Sequence, residues 1–148
     1  MVLVGMMLSG KSTVGLLAAE RLKARFVDAD SALVQRTGRT ISDWFIHGEP
    51  AFRRAEKQTM FDLVTDPGGG VIAAGGGAFQ DPETRSLCLE QALVVYLSAR
   101  IDTLVSRHSA DDTRPLLADS VPPSERLTRL LSEREGNYTK AHETVVTD

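Results

Sequence analysis

The sequence has little cysteine and little histidine, and each shortage excludes a class of protein. Its single cysteine, Cys88, cannot form a disulfide within the chain, which argues against a secreted disulfide scaffold and predicts a reducing, cytoplasmic location. The three histidines, His47, His108 and His142, lie far apart, with neither i,i+4 spacing nor a cysteine partner. We therefore expect no structural metal site of the zinc type.

Long apolar runs and an excess of one charge are also absent. Charged residues interrupt every stretch that approaches the roughly 20 apolar residues of a membrane-spanning helix. Seventeen Lys and Arg against 20 Asp and Glu give a formal charge of -3, too weak a field to attract nucleic acid or an anionic membrane. We therefore expect a soluble protein with neither partner, and the length of 148 residues predicts a single domain over 1–148.

Short apolar runs alternate with amphipathic segments along the chain. Five β-branched or aliphatic runs predict buried strands, at 1–4, 24–28, 70–74, 92–97 and 144–146. Helical spacing marks the segments between them, at 11–23, 49–64, 82–91, 101–108 and 123–135. This alternation predicts an α/β fold with three layers, α/β/α, and a five-stranded parallel sheet. Ligands bind such sheets at the carboxyl ends of the strands.

The first predicted strand runs into a phosphate-binding motif. Residues 5–13 read Gly5-Met-Met-Leu-Ser-Gly10-Lys11-Ser12-Thr13, a complete G-x-x-x-x-G-K-[ST] between a strand and a helix. In this motif backbone N–H groups surround phosphate oxygens, the lysine reaches the β- and γ-phosphates, and the next hydroxyl ligates Mg²⁺. The motif predicts nucleoside triphosphate binding by Leu8, Ser9, Gly10, Lys11, Ser12 and Thr13, with Ser12 as a metal ligand.

Two carboxylates, Asp28 and Asp30, end the second predicted strand and point the same way if strand geometry continues. In one interpretation, one of them holds a water on Mg²⁺ while the other accepts the proton of a substrate hydroxyl during phosphoryl transfer. In the other, they are a helix N-cap and a solvated acid, because a helical Ser-Ala-Leu-Val-Gln-Arg segment follows. Spacing alone leaves both open.

Further along the chain, an Arg–Glu pair and a run of three glycines provide a second set of candidate site residues. Arg53 and Glu56 share a helix face at i,i+3, either as a surface ion pair or as a carboxylate that holds a guanidinium for an anionic substrate. Three consecutive glycines, 75–77, follow the third strand and suggest close approach of a ligand to the backbone.

Three more arginines are concentrated on the side that faces the phosphate loop. Arg107 ends a helix, Arg134 closes another, and Arg114 lies in the long polar loop 109–123, which we interpret as a lid. Each alone is more typical of a solvated charge. Together they suit a kinase that stabilises spreading negative charge.

Taken in order, these motifs resemble the shikimate kinase family of P-loop kinases. The resemblance covers nearly the whole chain and rests on the phosphate loop, the 26–30 segment, the 36–45 segment, Gly48-Glu-x-x-Phe-Arg-x-x-Glu56, the triple glycine, Arg114-Pro-Leu-Leu117 and Arg134-x-x-x-Tyr138. It implies transfer of the ATP γ-phosphoryl group to the 3-hydroxyl of shikimate, on the route to chorismate and the aromatic amino acids, by a monomer.

The resemblance also implies roles for single residues. Asp30 binds the substrate hydroxyls and acts as base, and Arg53 and Arg134 clamp the carboxylate. The backbone of Gly75, Gly76 and Gly77 contacts the substrate, and Asp28 supports the water shell of Mg²⁺. Arg107 packs near the adenine, and Lys11 and Arg114 contact the transferring phosphate.

The chain departs from the family at the phosphate loop and at its end. Leu8 stands where glycine is usual, so we expect a narrower turn or a different backbone angle there. The family continues past the last strand into an adenine-contacting loop and a final helix, which we expect to be missing from this sequence. Two alternatives are kept: a catalytically silent ligand-binding module, and a kinase for another acceptor such as gluconate or a nucleoside monophosphate.

Overall fold

A computed structural model describes residues 1–108 and 121–148. Five strands form one sheet: β1 (Val2–Val4), β2 (Phe26–Asp28), β3 (Val71–Ala73), β4 (Val94–Ser98) and β5 (Glu143–Val146). Seven α-helices join them in the described part: α1 (Lys11–Leu22), α2 (Ala29–Thr37), α3 (Ile41–Ile46), α4 (Glu49–Val64), α5 (Pro82–Gln91), α6 (Ile101–Ser106) and α7 (Pro123–Tyr138). A short 3-10 turn, Ala78–Gln80, follows β3.

The sheet is wholly parallel, with the strand order β2-β3-β1-β4-β5. Its side chains alternate between two apolar cores: Val2 and Val4 of β1 pack in the larger one, whereas Leu3 packs in the smaller one on the other face. Both faces are therefore covered, as parallel sheets require. The predicted α/β fold with five parallel strands is confirmed.

The helix ends follow local chemistry. Helix α1 stops at Leu22 because Lys23 adopts a left-handed backbone, φ 51°, and its N–H bonds back to carbonyls of the last turn. Helix α3, which apolar periodicity did not predict, begins at a capping box in which Thr40 and Asp43 exchange hydrogen bonds.

The predicted lid, 109–123, lies outside the described residues up to position 120, and its last residue, Pro123, begins α7. Arg114 is among the residues that are not described. Among the helices that are described, none is long and apolar enough to cross a membrane.

Candidate active site

A cavity of about 720 Å³ opens at the carboxyl ends of the strands, a volume within the range of small-molecule sites. It brings together most of the residues singled out in the sequence: Leu8, Ser9, Gly10, Lys11, Ser12, Thr13, Asp28, Asp30, Arg53, Gly76, Gly77, Arg107 and Arg134. Gly75 does not line the cavity itself but lies beneath two side chains that do. Residues distant in sequence thus share one site.

The phosphate loop, residues 5–13, has the features of an anion site. No side chain caps the N-terminus of α1 at Gly10, so the partial positive charge of that helix end faces the cavity. The Lys11 ammonium folds back over the loop and donates to the carbonyls of Gly5, at 3.0 Å, and Met6, at 2.7 Å. An ammonium beside an uncapped helix end fits a polyphosphate.

Leu8 takes a left-handed backbone, φ 67°, at the crown of the loop. Glycine adopts this conformation freely, whereas a side chain carries a steric cost. The leucine side chain packs against the larger apolar core and also lines the cavity. Leu8 thus adopts a conformation that glycine favours, and a narrower turn or a backbone angle different from that of the family stays a prediction.

Two residues from the C-terminal half of the chain hydrogen-bond to the same loop. Arg107, just after α6, donates to the Leu8 carbonyl at 3.2 Å and also to the Thr147 carbonyl. The Thr147 hydroxyl in turn donates to the Ser9 carbonyl at 2.9 Å. Arg107 and Thr147 therefore hold two successive loop carbonyls. These contacts fix the shape of the loop from its outer side.

The Ser12 hydroxyl and the Asp28 carboxylate meet at the cavity wall. Ser12 Oγ donates to Asp28 Oδ2 at 2.6 Å, while Asp28 Oδ1 accepts the Ser31 N–H at 3.1 Å and so caps α2. Strand geometry therefore ends at Asp28, and Asp30 belongs to the first turn of α2. Asp28 is thus both an N-cap and a member of the site. The hydroxyl and the carboxylate place two oxygen atoms side by side, and such oxygen ligands are the kind that Mg²⁺ prefers.

The triple glycine is packed against charged side chains of the site. A Cβ on Gly75 would lie 2.6 Å from Glu56 Oε1 and 2.9 Å from Asp30 Oδ1. A Cβ on Gly77 would lie 2.1 Å from Arg53 Nη1. These glycines leave room for the protein's own carboxylates and guanidinium, so the predicted close approach is in part made by side chains rather than by a ligand.

Arg53 is held by two carboxylates of its own helix. Its Nη1 donates to Glu56 Oε2 at 2.7 Å, and its Nη2 donates to Glu49 Oε1 at 3.0 Å. Glu56 is buried, with 5% of its surface exposed. Burial raises the pKa of Glu56, Asp30 adds to the rise, and the nearby Arg53 charge opposes it without cancelling it. The interpretation of Glu56 as the residue that holds the Arg53 guanidinium agrees with this geometry.

Arg134 supplies a second cation to the cavity, next to Gly76. Its side chain is 7% exposed, and its Nη1 has no hydrogen-bond partner among the described residues. Nη1 lies 3.6 Å from the point where a Gly76 Cβ would be. A buried guanidinium nitrogen without a partner is costly unless a ligand completes it. An anionic substrate group fits that requirement.

Sequence reasoning missed several residues that line the cavity. Ile41, Phe45 and Phe52 form an apolar wall, with the two phenylalanine rings 4.8 Å apart. Apolar residues of this kind are indistinguishable from ordinary core residues in a sequence. Thr147 had a usable signal, because it directly follows the last strand, where ligands of parallel sheets bind.

Comparison with known proteins agrees with this geometry. A model of the shikimate kinase family matches residues 7–148. The shikimate kinase of Novosphingobium aromaticivorans is 44% identical over 147 residues, covering 95% of this chain and 75% of that protein. The enzyme of Streptomyces avermitilis is 44% identical over 146 residues, covering 98% and 83%.

A solved structure gives the same result in three dimensions. Shikimate kinase from Acinetobacter baumannii in complex with shikimate matches with a TM-score of 0.94 and 36% identity, covering 99% of this chain and 82% of that one. Family, sequence relatives and structure agree over nearly the full chain. This protein belongs to the shikimate kinase family.

Proposed function

We propose that this chain transfers the γ-phosphoryl group of ATP to the 3-hydroxyl of shikimate. The observation that carries the proposal is that one cavity contains both a phosphate loop and a pair of buried or half-buried arginines beside a carboxylate. Phosphoryl transfer needs little more than two substrates held in line and stabilisation of the charge between them. The cavity therefore provides a binding site for the nucleotide and a binding site for the substrate that accepts the phosphoryl group.

The nucleotide end is assigned to the phosphate loop. Lys11 exchanges its contacts with the Gly5 and Met6 carbonyls for the β- and γ-phosphates, with the N–H groups of 8–13 around the phosphate oxygens. Arg107 packs near the adenine while bracing the loop. Ser12 and Asp28 are the residues that would hold Mg²⁺ and its water shell. Mg²⁺ held there would neutralise negative charge on the phosphates during transfer.

The substrate end is assigned to the second set of residues. Asp30 hydrogen-bonds the shikimate hydroxyls and takes the proton of the attacking one. Arg53 and Arg134 bind the carboxylate beside Gly77 and Gly76, which line the cavity, while Gly75 lies beneath the Glu56 and Asp30 side chains. Arg114, outside the described residues, is proposed to meet the transferring phosphate.

The single sheet supports a further proposal on organisation. All five strands pair in one sheet, which supports one domain over 1–148. We propose a cytoplasmic monomer, and sedimentation at micromolar concentration tests the monomer: a mass near 16.1 kDa is expected, whereas twice that mass overturns it.

The experiment is a coupled ADP-release assay with Mg-ATP, with and without shikimate. ADP release is expected to depend on shikimate and to be lost in Lys11→Ala and Asp30→Asn, because both residues act on charge in the transition state. Lys140→Ala and Glu133→Gln are matched controls at exposed positions. Their activity should stay within about twofold of the unmodified chain, since exposed positions of this kind have small effects.

Other outcomes separate the alternatives. Shikimate binding without ADP release would favour the silent module, and release that needs gluconate or a nucleoside monophosphate would favour the other acceptor. Nothing in the described part of the site supports the silent module, since Lys11, Ser12, Asp30, Arg53 and Arg134 all line the cavity.

A further inference from the structure

Helix α7 presents two buried polar side chains to the glycines 75–77. Arg134 and Tyr138 are four residues apart, so they lie one above the other on one face of the helix. Tyr138 has none of its surface exposed, and Arg134 has 7%. The arginine is assigned above to the substrate carboxylate, whereas the tyrosine has no assigned role.

The Tyr138 hydroxyl donates a hydrogen bond to the Gly76 carbonyl. The ring is held in place by stacking on Tyr96, with centroids 5.2 Å apart and planes at 23°. Burial raises the pKa of Tyr138 to about 12, although the nearby Arg134 charge opposes the rise. The hydroxyl therefore keeps its proton, and remains a donor, across the range in which the enzyme is assayed.

The carbonyl of Gly76, the middle glycine, accepts its hydrogen bond from a different kind of donor than the carbonyls of Gly75 and Gly77 do. The Gly75 carbonyl accepts the Ala78 N–H at 3.1 Å, and the Gly77 carbonyl accepts the Gln80 N–H at 3.0 Å. Backbone turns thus satisfy both outer carbonyls. The Gly76 carbonyl is satisfied by a side chain, so its direction depends on the Tyr138 hydroxyl.

The direction of this carbonyl sets the whole peptide between Gly76 and Gly77. In a trans peptide the C=O and the N–H lie in one plane and point in opposite directions. Drawing the carbonyl toward Tyr138 therefore turns the Gly77 N–H away from it. Arg134 Nη1 packs against Gly76 and Arg53 Nη1 packs against Gly77. The two guanidinium groups thus lie beside the two glycines that this peptide joins.

We propose that Tyr138 is a positioning residue for substrate binding: its hydroxyl fixes the Gly76–Gly77 peptide and thereby the spacing of Arg53 and Arg134. This inference rests on the proposed function, since it assumes that the two arginines bind the shikimate carboxylate. Tyr138 itself touches neither the substrate nor the reacting atoms in this assignment. Loss of its hydroxyl should therefore lower the affinity for shikimate and leave the affinity for the nucleotide unchanged.

Tyr138→Phe and Tyr96→Phe form a matched pair for the test. Each removes one hydroxyl from the same stacked ring pair, but the Tyr96 hydroxyl neighbours Ser98 rather than the glycines. We expect Tyr138→Phe to raise the KM for shikimate about tenfold, the effect of one misplaced charge-assisted contact. The KM for ATP and kcat should change less than about twofold, and Tyr96→Phe should leave all three unchanged, because only the Tyr138 hydroxyl reaches the glycines.

Calorimetric titration with shikimate alone gives the affinity independently of turnover. A Tyr138→Phe protein that melts lower but binds shikimate like the unmodified chain would overturn the proposal, because the tyrosine would then be merely structural. Equal effects of the two substitutions would overturn it as well. Rescue of the KM by 4-aminophenylalanine in place of Tyr138, which restores a donor, is the supporting result.

Two further measurements distinguish failure of the role of Tyr138 from misfolding of the variant and from failure of the proposed function. If Tyr138→Phe does not fold, 4-fluorophenylalanine at the same position keeps the volume without a donor and takes its place. If the unmodified chain shows no shikimate-dependent ADP release, the proposed function fails. If the unmodified chain is active and the Tyr138→Phe protein keeps its shikimate affinity, only the role of Tyr138 fails.

Discussion

Gly77→Ala places a methyl group in the space that the Arg53 guanidinium occupies. The new Cβ would lie 2.1 Å from Arg53 Nη1, 2.6 Å from Cζ and 2.7 Å from Nη2. Non-bonded heavy atoms settle near about 3.5 Å, so the guanidinium must retreat by more than about 1 Å. It is the far end of a flexible side chain, so the arginine moves and the backbone stays.

The retreat has two costs, both of which follow from the contacts of Arg53. Arg53 Nη1 is 2.7 Å from Glu56 Oε2, and that contact is broken when the guanidinium moves. A charge-assisted hydrogen bond contributes about 1.5–3 kcal/mol, so the free energy of unfolding should fall by about that amount. Losing the proposed contact between Arg53 and the substrate carboxylate should lower kcat/KM for shikimate about 10- to 100-fold.

Steady-state kinetics with each substrate varied in turn provide the measurement. The KM for ATP should stay within about twofold, because the three atoms nearest to the new methyl group all belong to Arg53 rather than to the phosphate loop. Gly136→Ala is the matched control, since a Cβ there meets no atom of the described residues within 4 Å, apart from the backbone of its own helix. A folded Gly77→Ala protein with unchanged KM for shikimate, or with equal losses for both substrates, would refute the assignment of Arg53 to the substrate.

Three further outcomes are expected. Gly136→Ala should stabilise the protein by about 0.5–1 kcal/mol, seen as a higher Tm, because alanine replaces glycine inside helix α7; a lower Tm would contradict this. Burial raises the pKa of the Cys88 thiol to about 12, so a thiol reagent at mildly alkaline pH should label it only as fast as the protein unfolds, and rapid labelling would be inconsistent with that burial. Burial also raises the pKa of Glu56 above its ordinary value of 4.5, so the folded state binds this proton more tightly than the unfolded state does. The contribution of Glu56 to stability therefore falls as pH rises from that ordinary value through the raised pKa of the folded state. The free energy of unfolding of the Glu56→Gln protein minus that of the unmodified chain should therefore be larger at neutral pH than in mild acid, as measured by urea titration at both pH values; the opposite trend would refute the sign of the shift.

The strands and the phosphate loop were predictable because their signals are local. Each apolar run of the sequence became a strand within a few residues of its predicted position, and helices α4 and α5 have the predicted bounds. A six-residue helix such as α3 escapes periodicity, because its start depends on the Thr40 and Asp43 capping box rather than on an apolar face.

The candidate site was predictable in its residues but not in its contacts. A sequence shows that Arg53, Arg134 and three glycines are present, but it does not show that the guanidinium of Arg53 lies on Gly77. The Tyr138 hydroxyl bond to Gly76 joins residues 62 positions apart, and such a pairing is decided by tertiary packing. Strand geometry likewise failed at Asp28, where a local side-chain hydrogen bond starts a helix instead.

The Thr147 contact with the phosphate loop has a consequence for biosynthesis. It joins Ser9 to a residue 138 positions later, so the loop gains its brace only after β5 has paired with β4. A chain emerging from the ribosome displays the complete glycine and lysine motif long before that strand exists. Contacts of such long sequence separation form late. A nascent chain should therefore gain full affinity for ATP only once β5 has emerged and paired with β4.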